Sequence, residues 1–136
     1  MSFIRSMSSA VALAAGLLAT QHAVAASDAV VVKTLTTQAM PDIPGKEILM
    51  ITVDYAPGAA DPVHRHDAHA VVYVLEGSIV MGVKGGKEHT LTAGQTFYEG
   101  PQDLHTVGRN ASKTKPAKFV VMMVKDVKKP FFIPVK

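Results

Sequence analysis

Six histidines and no cysteine set the chemistry open to this chain of 136 residues. His64, His66 and His69 lie close together, and His105 follows from a later segment. His64 and His66 are two residues apart, so on an extended backbone both rings leave the same face and can aim at one point. Neutral imidazoles gathered in this way suit a divalent first-row metal: Fe, Mn, Ni, Cu or Zn. Without thiols, such a metal has to be held chiefly by histidine nitrogen and by oxygen, and disulfides and cysteine nucleophiles are excluded. His69 stands three residues after His66, an offset that turns its ring to the opposite face of an ideal strand. A small loop or bulge at Asp67-Ala68 would re-aim it. Two readings stay open: a site of His64, His66, His69 and His105, or three histidines with waters in the remaining positions.

Short runs of β type, cut by glycine and proline, must position these rings. Ala29 to Leu35 and Glu47 to Tyr55 read as strands on either side of the turn-forming Met40-Pro41-Asp42-Ile43-Pro44-Gly45. Val71 to Leu75 is a solid apolar run suited to a strand with little solvent contact. Ser78 to Lys84 returns after Glu76-Gly77, and Gly85-Gly86 signals a two-residue hairpin. Glu88 to Leu91, Gln95 to Tyr98, His105 to Arg109 and Lys118 to Lys125 complete the set. No helical periodicity of useful length follows residue 25. An all-β sandwich or barrel is the expected class, and a barrel would also remove exposed strand edges. Pro130 to Lys136 reads as an extended tail, packed on its own barrel or on a neighbour.

The stretch Gly58-Ala-Ala-Asp-Pro-Val-His64-Arg-His66, with Gly77 ending the next strand, resembles the first signature motif of the cupin superfamily. Gly94-Gln-Thr-Phe-Tyr-Glu-Gly-Pro-Gln-Asp-Leu-His105 resembles the second, with Gly94 and His105 at that motif's separation. The proline position of the second motif holds Gly100, with Pro101 one place later; Gln102 replaces its second glycine, and Asn110 lies one residue beyond the usual asparagine. The resemblance implies a double-stranded β-helix (jelly-roll-like) barrel with a metal site in its mouth. It also exposes a departure, because the position of the family's glutamate ligand holds Ala70, which coordinates nothing.

Glu99 is the nearest candidate to make good that loss. Resemblance to cupins with Glu-x-Pro at this place puts it near the barrel mouth. There it could orient a ligand histidine or act as a general base. Equally, it could be a turn carboxylate that holds backbone N–H groups. Tyr98 and Tyr73 read as pocket lining or plain core, and Met81 and Met122-Met123 as core filler. Asp103 and Arg109 read as a turn residue and a rim charge, and His89 as solvated.

The N-terminal segment has a different character. Arg5, the apolar run Ala10 to Ala19 and the small-x-small site Ala23-Val24-Ala25 follow the order of a secretory signal peptide. The apolar run is about half the ~20 residues that a membrane span needs. Residues 1–25 are therefore expected to be cleaved, leaving residues 26–136 as one periplasmic or secreted domain with no membrane attachment. That domain loses Arg5 alone among the charged residues, so it keeps 13 basic against 11 acidic side chains. It shows no basic stripe of the kind nucleic-acid binding requires. The expected partners are a small-molecule ligand or substrate and, from the apolar tail and the family habit, a second copy of the chain. Similar cupins include dioxygenases of small oxygenated compounds, isomerases and decarboxylases. Fold alone leaves an oxidoreductase of that kind and a non-catalytic metal- or ligand-binding module as alternatives.

Overall fold

A computed structural model describes residues 29–136; the expected signal peptide lies outside the described residues. The chain runs through β1 (Val30–Ala39), β2 (Lys46–Tyr55), β3 (His64–Arg65), β4 (His69–Glu76) and β5 (Ser78–Val83). It continues through β6 (His89–Thr92), β7 (Thr96–Glu99), β8 (His105–Asn110), β9 (Ala117–Asp126) and β10 (Ile133–Pro134). Two five-stranded sheets result, in the orders β1-β2-β9-β4-β7 and β10-β3-β8-β5-β6, with antiparallel pairing throughout. The class is all-β, a jelly-roll in which the two sheets face each other across one core.

Alternation along the strands decides what that core contains. Leu49, Ile51, Val53 and Tyr55 of β2 point inward, as do Phe119, Val121 and Met123 of β9 and Ala70, Val72 and Val74 of β4. Ile79 and Met81 meet them from β5. Each large side chain buried in this way contributes about 1.5–3 kcal/mol relative to exposure. The opposite phase faces outward. Tyr73, Tyr98 and Met122 are 46 %, 55 % and 38 % exposed, so the pocket or core positions expected for them are corrected: all three stand on the outer face of the first sheet.

A single residue, Gly77, joins β4 of the first sheet to β5 of the second. Its φ is +71°, and a Cβ added there would lie 2.5 Å from the Pro116 carbonyl oxygen. The switch between sheets therefore needs a residue without a side chain. The hairpin at Gly85-Gly86 is wider than a two-residue turn: the β5–β6 ladder ends at Met81↔His89, and Gly86 N–H donates to the Val83 carbonyl at 2.9 Å. The tail turns back on its own barrel, where β10 pairs with β3 through Ile133↔Arg65 and Pro134↔His64. Among the described residues no helix is long and apolar enough to cross a membrane.

Candidate metal site

His64 opens the two-residue strand β3, and His105 opens β8 directly opposite it in register. His66 follows β3 and keeps the inward phase of His64, as the spacing of two predicts. All three are buried, at 3 %, 8 % and 3 % exposure. One nitrogen from each lies within 4.8 Å of the others, close enough for a single ion to touch all three. The rings meet edge to face, with centroids 4.8 Å apart for His64–His66 and 4.7 Å apart for His64–His105.

Neighbouring carbonyls fix which nitrogens are free. His64 Nδ1–H donates to the Pro62 carbonyl at 2.8 Å, and His66 Nδ1–H donates to the carbonyl of Phe131 in the tail. A carbonyl can only accept, so Nδ1 carries the proton on both rings and Nε2 keeps its lone pair for a metal. Phe132 stacks on His64 with centroids 4.3 Å apart. Burial, opposed by these carbonyl hydrogen bonds, pulls the pKa of His64 and of His66 below the ordinary histidine value. His105 falls to about 4, through burial first and the neighbouring His64 second. All three imidazoles are therefore neutral near pH 7, the form that ligates.

Glu99 ends β7 with its side chain inward and 2 % exposed. Its Oε2 lies 3.4 Å from His105 Nδ1 and 3.6 Å from His66 Nε2. Burial, then the nearby Asp103 and Asp61, pushes the carboxyl up to about 7. With the histidines pulled down and the glutamate pushed up, these contacts are not ion pairs. Glu99 Oε2 and His105 Nε2 are buried without a hydrogen-bond partner, the two such side-chain atoms among the described residues. Of these two, Glu99 Oε2 faces the imidazole cluster, and a buried carboxyl oxygen left without a donor beside neutral imidazoles is what a cation-binding site presents. The donor set fits a divalent first-row metal, which His64, His66 and His105 would hold. The turn-carboxylate role belongs instead to Asp103, whose Oδ2 accepts from Gly100 N–H at 2.7 Å.

His69 is not brought to the site. It begins β4 in the outward phase, is exposed, and its Nδ1 shares a 2.7 Å hydrogen bond with the Tyr98 hydroxyl. Asp67 does take a positive φ of 48°, but that bend ends before β4 and leaves the odd offset in force. His89 is exposed, and Arg109 pairs with Glu88 at 3.3 Å on the surface. Two residues singled out by no sequence motif also reach the site: Asp61 lines the cavity and accepts a hydrogen bond from the buried Tyr55 hydroxyl. The inward phase of Leu49, Ile51 and Val53 could have placed Tyr55 there, whereas Asp61 lies in a loop whose path has no periodic signal. The cavity measures about 50 Å³, and its remaining wall is apolar, including Ile51, Val72, Met81, Phe119 and Met123.

Residues 51–123 match the cupin domain family. The chain belongs to the cupin family. The match spans both motifs, and with it β2 to β9. Among solved structures, oxalate oxidase in complex with glycolate is similar over 79 % of this chain and 55 % of its own, at 28 % identity and a TM-score of 0.57. The DMSP lyase DddQ from Ruegeria pomeroyi DSS-3 shares the fold at 17 % identity, covering 65 % of this chain and 43 % of its own, with a TM-score of 0.58. The cupin domain of an XRE-family transcriptional regulator from Enterobacter cloacae covers 70 % of this chain and 95 % of its own, at 26 % identity and a TM-score of 0.53. This cupin thus spans only about half the length of the lyase and oxidase chains it matches. No curated protein matches its sequence.

Proposed function

We propose that this cupin is an exported, metal-dependent oxidoreductase that acts on a small oxygenated substrate, with a small carboxylate or diketone as the substrate class. The observation that carries the reading is the trio His64, His66 and His105, buried in the lining of a small cavity with one ring nitrogen of each within 4.8 Å of the others. A first-row divalent metal bound there would supply open positions for O₂ or an oxygen-bearing ligand, and would polarise it. The protein's own part is to fix the rings through the Pro62 and Phe131 carbonyls and to keep bulk water out with its apolar wall. In the metal-free protein Glu99 brings the cavity a carboxyl that holds or releases a proton near neutral pH. The cavity volume of about 50 Å³ has room for a few waters or a compact ligand, which excludes bulky substrates without movement of the tail.

The glycolate complex of the similar oxidase supports a carboxylate substrate. The test is oxygen uptake by protein loaded separately with Fe, Mn, Ni, Cu and Zn and offered glycolate, oxalate and acetylacetone. Turnover with one pairing is expected. Metal-loaded protein that consumes no O₂ with any of them refutes the oxidoreductase. A second reading, a non-catalytic holder of metal or small ligand, is favoured by the tail seated on His64 and His66. Export rests on the leader-like residues 1–25, and the reading places the protein in the periplasm or outside the cell. A homodimer is proposed across the outer face of the first sheet, where Val71, Tyr73, Tyr98 and Met122 are exposed together. Sedimentation as a monomer would dismiss it.

A further inference from the structure

Ala70 and Glu99 are direct partners in the β4–β7 ladder. Both face inward, Ala70 at 0 % and Glu99 at 2 % exposure. Directly opposed residues on one face have Cβ atoms about 5 Å apart. A glutamate at position 70 and a glutamate at position 99 would therefore deliver their carboxylates to one region of the cavity. The methyl side chain at 70 leaves that region open, and Glu99 occupies it, with Oε2 at 3.4 and 3.6 Å from the nitrogens of two of the three histidines. Such separations match adjacent ligands around one first-row ion, whose bonds are each about 2.0–2.2 Å long. Oε2 has no hydrogen-bond donor in this buried position. An unpartnered buried carboxylate oxygen is costly, and a cation between it and the imidazoles would compensate.

We infer that Glu99 is the fourth protein ligand of the metal, supplied across the strand pair in place of the glutamate that Ala70 has displaced. This rests on the metal-binding reading of His64, His66 and His105. It gives the ion three neutral nitrogens and one carboxylate, and so favours harder ions such as Mn and Fe over what an imidazole trio alone would select.

The test is titration of the metal-free full-length domain with Mn²⁺, following affinity by calorimetry and the rise in melting temperature at saturating Mn²⁺. Four proteins are compared: wild type, Glu99→Ala, Glu99→Gln, and Glu99→Ala combined with Ala70→Glu. Wild type binds one equivalent. Both single variants lose at least about tenfold in affinity, since loss of even an outer partner of a ligand costs that much. The double variant, with its carboxylate returned from the neighbouring strand, recovers most of the affinity and of the melting shift. Glu99→Ala within about twofold of wild type overturns the inference. A loss that the double variant fails to recover, while melting like wild type without metal, overturns it as well. Wild type that binds Zn or Cu but no Mn²⁺ overturns the inference, whereas wild type that takes up none of Fe, Mn, Ni, Cu and Zn refutes the underlying metal site instead, so the two failures are distinct.

Discussion

Replacing Glu99 by Gln in the metal-free protein changes the pH dependence of stability in a direction the site geometry dictates. The buried carboxyl titrates at about 7 in the folded protein against 4.5 ordinarily, so between those values the folded state holds a proton that the unfolded chain releases. The associated stability is fully present below about pH 4.5 and is lost as pH rises through 7, a change of about 3 kcal/mol. His105 works the other way. Its folded value of about 4 lies below the ordinary 6.5, so the unfolded chain takes up the proton first and stability is lost as pH falls between them. Wild type alone would show the two effects partly offset. The difference between wild type and Glu99→Gln isolates the carboxyl, because Gln keeps its volume and never ionises. Urea unfolding in the presence of a chelator, at about pH 5 and about pH 8, measures it. Wild type should lose about 2.5 kcal/mol relative to the variant over that interval, the part of the full change that falls above pH 5. A difference that stays constant within about 0.5 kcal/mol refutes the buried, proton-holding carboxyl. A difference of opposite sign would mean that Glu99 is a carboxylate paired with protonated histidine, and the neutral-site description would fall.

Three further outcomes follow from the same geometry. Removing Pro130 to Lys136 takes away the carbonyl that orients His66 and the ring stacked on His64, so metal affinity should fall about 10- to 100-fold with the barrel still folded; unchanged affinity in a metal titration would show the tail to be irrelevant. His69→Ala should leave metal stoichiometry and affinity as in wild type, since that ring bonds to Tyr98 on the outer face; a lost equivalent would contradict the assigned orientation. Gly77→Ala should destabilise the fold by about 3 kcal/mol in urea unfolding, because it combines a left-handed backbone with an overlap on the Pro116 carbonyl; a shift under about 1 kcal/mol would mean that the sheet-to-sheet switch tolerates a side chain.

The sequence carried the strands well because period-two alternation and glycine punctuation are local signals. Eight predicted runs correspond to the eight longer strands, with ends displaced by only a few residues, and β3 and β10 escaped notice because a two-residue strand has no periodicity to read. The pair His64 and His66 was legible from spacing, and His105 from its place in the stretch that resembles the second cupin motif. Where a side chain at the end of β7 points depends on register with β4, and register is a long-range property. Hence Glu99 remained a choice between turn and cavity until Ala70↔Glu99 pairing settled its side. Tyr73, Tyr98 and Met122 show the converse, since apolar side chains in strands are inward only on one phase, and an apolar outer face hides which phase that is. The involvement of Phe131 and Phe132 needed the tail's path back across β3, to which composition gives no clue.

The central claim is that His64, His66 and His105 hold one metal ion. Elemental analysis of the domain, isolated without chelator and again after equilibration with Fe, Mn, Ni, Cu or Zn and removal of free ion, tests it most directly. About one equivalent of at least one metal is predicted for wild type, and far below that for a variant carrying His64→Ala and His105→Ala. Substoichiometric uptake of all five metals by folded wild type, or equal uptake by the double variant, would contradict the account.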